Sequence, residues 1–317
     1  MTTIFRTRDL TWLVALAAAL WGTDAVLRLP LAQQVQAPTI VFAEHAVLVV
    51  VLLLPFLPRA VRAFGKLDWG GKAAVLAIGA GASAVATTLF TLSFRYGDPV
   101  TPAVIQKFQP VIAIAGAALL LHERLRVSFL WFAVPALAGA WLLAFPDPLD
   151  IAVDRLAVAL FALGAAVLWA SGTVLGRFVA PRLTAVELTT LRFAIGLPTA
   201  LIIVLATGSP LWVPDVSSTW SVIGIALIPG LLAMWLYYLG LRRTAASRAT
   251  LAELAYPFTA AVVGVTVLHA ELTTGQWVGA ALIVVAVTAL SWHESRARLP
   301  SVRPSPDVLD IETAHRR

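Results

Sequence analysis

Apolar stretches long enough to cross a lipid bilayer recur along almost the whole chain. Covering about 30 Å of hydrocarbon takes roughly 20 helical residues. Segments of that kind fall near 10–29, 39–57, 73–94, 101–121, 127–145, 156–176, 185–205, 219–241, 249–268 and 275–292. They predict an all-α integral membrane protein with ten transmembrane helices. Composition agrees: 13% of the 317 residues are charged and 60% are hydrophobic, whereas a soluble domain carries about 25% charged residues. The first stretch is long for a signal-peptide core and lacks a clear cleavage site, so it reads as a retained helix.

The chain carries a formal net charge of +6, and where the bases sit decides what that means. Nucleic-acid binding fits poorly, because Lys and Arg lie in short runs between apolar segments. With the N-terminus placed in the cytoplasm, one set of connections holds Arg6 and Arg8, then Arg59, Arg62, Lys66 and Lys72, then Arg124 and Arg126, Arg177 and Arg182, and Arg242, Arg243 and Arg248. The other set holds Arg28, Arg95 and Arg155. Bases favour the cytoplasmic side, so both termini are expected there. The stretch 299–317, with Pro300, Pro304 and Pro306 among polar residues, reads as a disordered cytoplasmic tail.

The chain also repeats itself. Residues 17–27 read AAALWGTDAVL and residues 165–175 read AAVLWASGTVL. Further on, Pro110, Leu121, His122 and Leu125 are matched by Pro257, Leu268, His269 and Leu272. Each half then contains five spans, and an odd number forces the second half to insert upside down. Inverted repeats of this kind mark transporters with a substrate site near the midplane, where the halves meet.

The LWG motif at 20–22 and the run GLRRTAASRATLAELAYPFTAAVVG at 240–264 resemble the EamA family of the drug/metabolite transporter superfamily. The resemblance covers both halves. It implies one five-helix repeat in 1–148, a second, inverted one in 149–298, and a role as exporter or facilitator of amino acids or other small metabolites. The family pattern usually has an arginine in the second span of each half. Arg192 matches it, while Glu44 departs from it, as does Asp24 on the first span.

An ionisable side chain at the bilayer centre costs about 2.5–3.5 kcal/mol on insertion scales. Asp24, Glu44, Lys107, Arg192 and Glu253 all stand within spans, so they are expected to face a cavity or one another. Depth along the spans groups Asp24, Glu44 and Lys107, with Gln106 and Gln109, into an outer cluster, and sets Arg192 against Glu253 as an inner pair. Each has a plainer reading. Asp24 and Arg28 have the i, i+4 spacing of a helical ion pair. Glu44 is near enough to a surface to be solvated, Lys107 can snorkel, and Arg192 can tether the helix to headgroups.

Trp21 and Trp169 occupy equivalent places on the first span of each half and are read as cavity lining. Tyr237 and Tyr256 join them as weaker candidates. Pro110 and Pro257 interrupt the fourth span of each half at matching places. Such paired breaks are the best sequence pointer to a transport site, which raises Gln106, Lys107, Gln109, Glu253 and Tyr256 as substrate-binding candidates. The GxxxG at Gly275 and Gly279 is read as packing only.

No GxxxxGK[ST] loop, HExxH motif or nucleophile elbow occurs, and cysteine is absent. Adjacent His122 and Glu123 are poorly placed to share a metal on a helix. The leading expectation is therefore a secondary transporter without cofactor or catalysis, a monomer or homodimer in the cell membrane. Its partners would be lipid, a small-molecule substrate and, if Asp24, Glu44 or Glu253 exchanges one, a proton. An intramembrane lipid enzyme and a membrane sensor or assembly protein are the alternatives.

Overall fold

The computed structural model describes residues 10–96, 109–123, 127–144, 147, 156–267 and 271–297. Among these the secondary structure is entirely helical. Gln106, Lys107 and the expected tail lie outside them.

The first half contributes α1 (Thr11–Gly22), α2 (Ala25–Gln34), α3 (Ala37–Gly65) and α4, which begins as Trp69–Leu76 and ends as Ala86–Tyr96. It continues with α5 (Gln109–Leu120) and α6 (Val127–Ala144). The second half contributes α7 (Leu156–Val179), α8 (Ala185–Ala206) and α9, which begins as Val216–Ile225 and ends as Ala233–Leu241. Then follow α10 (Ala246–Ala252), α11 (Ala255–Thr266) and α12 (Thr274–Ala297). Among the described residues four helices are long and apolar enough to cross a membrane: Trp69–Ser93, Leu160–Val179, Ala185–Ala206 and Val216–Leu241. Ala37–Val51 with Pro55–Gly65 makes a fifth if counted as one span, bent by 95°. This is a multi-pass membrane protein.

Polar side chains start the helices. Asp68 accepts from the Gly71 amide at 2.8 Å at the head of α4, and Asp215 from the Ser218 amide at 2.8 Å at the head of α9. Thr184 and Glu187 form a reciprocal capping box on α8. Glu123 accepts the amides of Ala246 and Ser247 at 2.9 and 3.2 Å, so a carboxylate of the first half caps α10 of the second. Each bond satisfies an amide that the first turn leaves without a partner.

Three departures from straight helices were not expected from the apolar pattern. The first span breaks after Gly22 and resumes at Ala25. The bend in α3 falls where Pro55 and Pro58 remove helical N–H donors. In addition, α4 and α9 each carry a π-helical stretch at their centre, Ala77–Val85 and Ala226–Leu232.

The halves interleave rather than lie side by side. The first span of each half packs on the third and fourth of the other: α1 on α9 and α11, and α7 on α4 and α5. Helices α3 and α8 pack together, as do α6 and α12. Exchanging the halves leaves this pattern unchanged. At the last contact a Cβ on Gly139 would lie 2.7 Å from the Gly279 carbonyl oxygen, so the GxxxG glycine lets two backbones touch. The main apolar core, with Val14, Leu188 and Tyr238, draws on both halves.

Candidate functional site

A cavity of about 250 Å³ opens where the interleaved spans meet. Nine of the residues proposed from sequence line it: Trp21, Asp24, Glu44, Gln109, Trp169, Arg192, Tyr237, Glu253 and Tyr256, with Pro110 and Pro257 beside them.

The break in the first span places Asp24 at its wall. Thr23 donates its hydroxyl to the Leu20 carbonyl at 2.7 Å, and the chain turns before α2 begins. One turn later Arg28 donates Nε to Asp24 and Nη2 to Glu44 Oε2, the second at 3.0 Å. Arg28 therefore bridges two carboxylates, one from the first span and one from α3. The remaining Asp24 Oδ1 and Arg28 Nη1 are buried without a hydrogen-bond partner among the described residues. Sequence spacing identified the Asp24–Arg28 contact but not the bridge to Glu44; the base expected in this cluster, Lys107, lies outside the described residues.

The inner pair is not formed as expected. Arg192 donates Nη1 to the Tyr238 hydroxyl at 3.1 Å and Nη2 to the Ala82 carbonyl at 2.8 Å. Glu253 is held instead by neutral donors. Oε1 accepts from the Tyr237 hydroxyl at 2.8 Å and Thr173 Oγ1 at 3.2 Å, and Oε2 from Gln109 Nε2 at 3.2 Å. Both residues line the cavity, but their helices turn them towards different neighbours.

Pro257 explains why Glu253 stands where it does. A proline ring cannot accommodate the carbonyl four residues before it in a helix, and here that carbonyl belongs to Glu253. The fourth span stops at Ala252 and restarts at Ala255, and the Glu253 carbonyl accepts from the Tyr256 amide at 3.0 Å. Pro110 occupies the matching place near the start of α5.

The repeated tryptophans have matching surroundings. The Trp21 ring lies 5.1 Å from that of Tyr237, and its Nε1 donates to the Pro229 carbonyl at 3.0 Å. The Trp169 ring lies 5.0 Å from that of Phe90. Each therefore packs on the third span of the opposite half. The carbonyls receiving Trp21 and Arg192, those of Pro229 and Ala82, both lie in π-helical stretches, features often found at functional sites.

His45 was missed by sequence reading. It is buried on the cavity wall, with Nδ1 2.7 Å from the Val41 carbonyl and Nε2 2.9 Å from Ser83 Oγ. A carbonyl only accepts, so Nδ1 carries the proton and Nε2 accepts from serine. Its position directly after Glu44 was the available signal. Among the described residues no three or more His, Cys, Asp or Glu side chains are grouped to hold a metal.

Two stretches, 10–145 and 156–292, match the model of the EamA-like transporter family. The chain is 29% identical over 289 residues to the riboflavin transporter ImpX of Fusobacterium nucleatum, an alignment covering 88% of this chain and 96% of that protein. It is also 29% identical over 214 residues to the uncharacterized transporter YwfM of Bacillus subtilis, covering 64% of this chain and 67% of that one. A solved crystal structure, 20% identical, shares the fold with a TM-score of 0.75 over 92% of this chain and 100% of its own.

Proposed function

The chain belongs to the EamA-like transporter family, and from that premise we propose that it is a secondary transporter moving a small metabolite through the cavity between two inverted repeats by alternating access. The observation that carries this reading is a cavity walled by both halves, with Asp24, Arg28 and Glu44 from one and Arg192, Tyr237 and Glu253 from the other. The ten-span count, the repeats at 1–148 and 149–298, and cytoplasmic termini in the cell membrane belong to the same reading, supported by the two family matches and by the distribution of bases between connections. It is not an enzyme on this reading.

The substrate class follows from the walls. Trp21, Trp169 and Tyr256 offer flat apolar faces, while Asp24 Oδ1 and Arg28 Nη1 offer an acceptor and a donor without partners among the described residues. These suit a compact amphipathic metabolite. The name of the Fusobacterium relative makes riboflavin the first compound to test. The neighbouring opposite charges also suit the ammonium and carboxylate of an amino acid, the expectation from sequence.

Glu253 is the residue proposed to exchange a proton for substrate, because its hydrogen-bond donors among the described residues are all neutral. A carboxylate without a cationic partner inside a membrane gains most from taking up a proton or a cation. Purified protein in liposomes is expected to move riboflavin or an amino acid under a pH gradient, with that dependence lost in Glu253→Gln. Flux unaffected by collapsing the gradient would make the protein a facilitator. Absence of flux across a metabolite panel would overturn the transport reading in favour of a sensor or assembly role.

A further inference from the structure

A second pocket lies away from the transport cavity, against one membrane surface. Its walls are Arg59, Arg62, Lys66, Asp68, Arg182 and Glu187, with the apolar Ala63 and Leu67 between them. Its position relative to the bilayer follows from the spans. Leu160–Val179 ends beside it, while Ala185–Ala206 and Trp69–Ser93 begin beside it. Three spans thus meet the membrane boundary at this pocket.

The bend in α3 supplies its floor. If Ala37–Val51 crosses the bilayer, a 95° turn lays Pro55–Gly65 along the membrane plane. That segment is amphipathic in the manner of interfacial helices. Phe56 and Val61 are exposed apolar side chains, and Arg59 and Arg62 are exposed bases on the same segment. Just beyond it, Trp69 is 86% exposed with the Lys72 ammonium 5.4 Å from its ring centroid. The Arg182 guanidinium lies 5.2 Å from the ring of the exposed Phe178. Exposed aromatics beside bases mark the headgroup level.

The charges in the pocket do not cancel. Its two acids are each taken: Glu187 by Arg59 at 2.9 Å, and Asp68 by Arg182 at 2.7 Å. Arg62 uses only Nε, on the Pro58 carbonyl at 3.2 Å. Lys66 has no ion pair among the described residues. Two cations therefore line a surface pocket at headgroup level with no anion among the described residues paired to them.

We propose that this pocket binds the phosphate of an anionic phospholipid, with Arg62 and Lys66 as its partners and the acyl chains lying along Phe56 and Val61. The bound lipid holds the bent segment in the membrane plane. A phosphodiester supplies the missing negative charge, and a zwitterionic lipid carries its own cation and does not.

The test uses the full chain purified in detergent, with retained lipid read by native mass spectrometry and the unfolding midpoint read with added lipid. Phosphatidylglycerol is expected to be retained and to raise the midpoint, and phosphatidylcholine or inorganic phosphate alone to do neither. The double variant Arg62→Gln/Lys66→Gln is expected to lose phosphatidylglycerol retention by about tenfold or more, since each base near the surface contributes severalfold. Arg243→Gln, which removes an exposed base elsewhere, is expected to leave it unchanged. Equal losses in the two variants would reduce the effect to bulk charge and overturn the site. A midpoint rise with inorganic phosphate equal to that with lipid would overturn the lipid as ligand. Because Arg62 and Lys66 are exposed, a variant with an unaltered midpoint in phosphatidylcholine separates lost binding from misfolding.

Discussion

Removing the Arg28 guanidinium should destabilise the protein more than any single surface charge does. In Arg28→Gln, Asp24 and Glu44 lose the cation that bridges them. The side chains of Arg28, Asp24 and Glu44 are 18%, 21% and 10% accessible, so the pair values of about 0–1 kcal/mol typical of exposed bridges do not apply. Two unit charges about 4 Å apart attract by about 4 kcal/mol at an effective dielectric near 20, before desolvation is subtracted. Breaking a buried pair by removing one partner costs about 3–5 kcal/mol, because a charge is left uncompensated. The expected loss is about 3 kcal/mol, read as equilibrium unfolding in mixed micelles followed by helical circular dichroism. The mechanism makes a second demand. If stranded charge is the cause, the triple variant Asp24→Asn/Arg28→Gln/Glu44→Gln should recover at least half of the loss, since replacing an entire buried ionic group by neutral residues is often nearly neutral. A single variant within about 0.5 kcal/mol of the parent, or a triple variant as unstable as the single, would refute the reasoning.

Other outcomes are expected at the packing seams and helix ends. Gly196→Ala would place a Cβ 2.6 Å from His45 Cδ2 and 3.2 Å from the Gly79 carbonyl oxygen, and should cost about 1–3 kcal/mol as overpacking; unchanged unfolding would show that the α3–α8 contact is looser than this. Asp215 lies ahead of its span, where hydrogen bonding by the Ser218 amide holds its carboxyl below the ordinary carboxylate range. The stability it contributes is thus present above the ordinary pKa of about 3.9 and fades as pH falls through the lowered folded-state value. Asp215→Asn should flatten the acid side of the stability profile, and an identical profile would exclude Asp215 from it.

The fold class was legible because a bilayer imposes length and apolarity on each span, and those are one-dimensional properties. Position along the chain carried part of the site: Trp21, Trp169, Gln109, Glu253 and Pro257 all line the cavity. Azimuth was not. A helix that is apolar all round has no polar face to fix its rotation, so nothing in the chain says that Arg192 turns towards Tyr238 and Ala82 rather than towards Glu253. Arg28 was read as a local partner of Asp24, because its second acid, Glu44, comes from another helix. The π-helical stretches escaped notice because their sequences, AIGAGASAV and ALIPGLL, are as apolar as their flanks.

Those two stretches bear on whether either half could exist alone. A widened turn leaves backbone oxygens poorly served by their own helix, and in each case a side chain from the opposite half reaches one: Arg192 to Ala82, and Trp21 to Pro229. The exchange is reciprocal, like two hands each holding the other's wrist. Either half expressed by itself would keep both the loosened turn and the donor meant for the other half, and neither would find a mate in lipid. Such a fragment is complete only in company with its covalent counterpart.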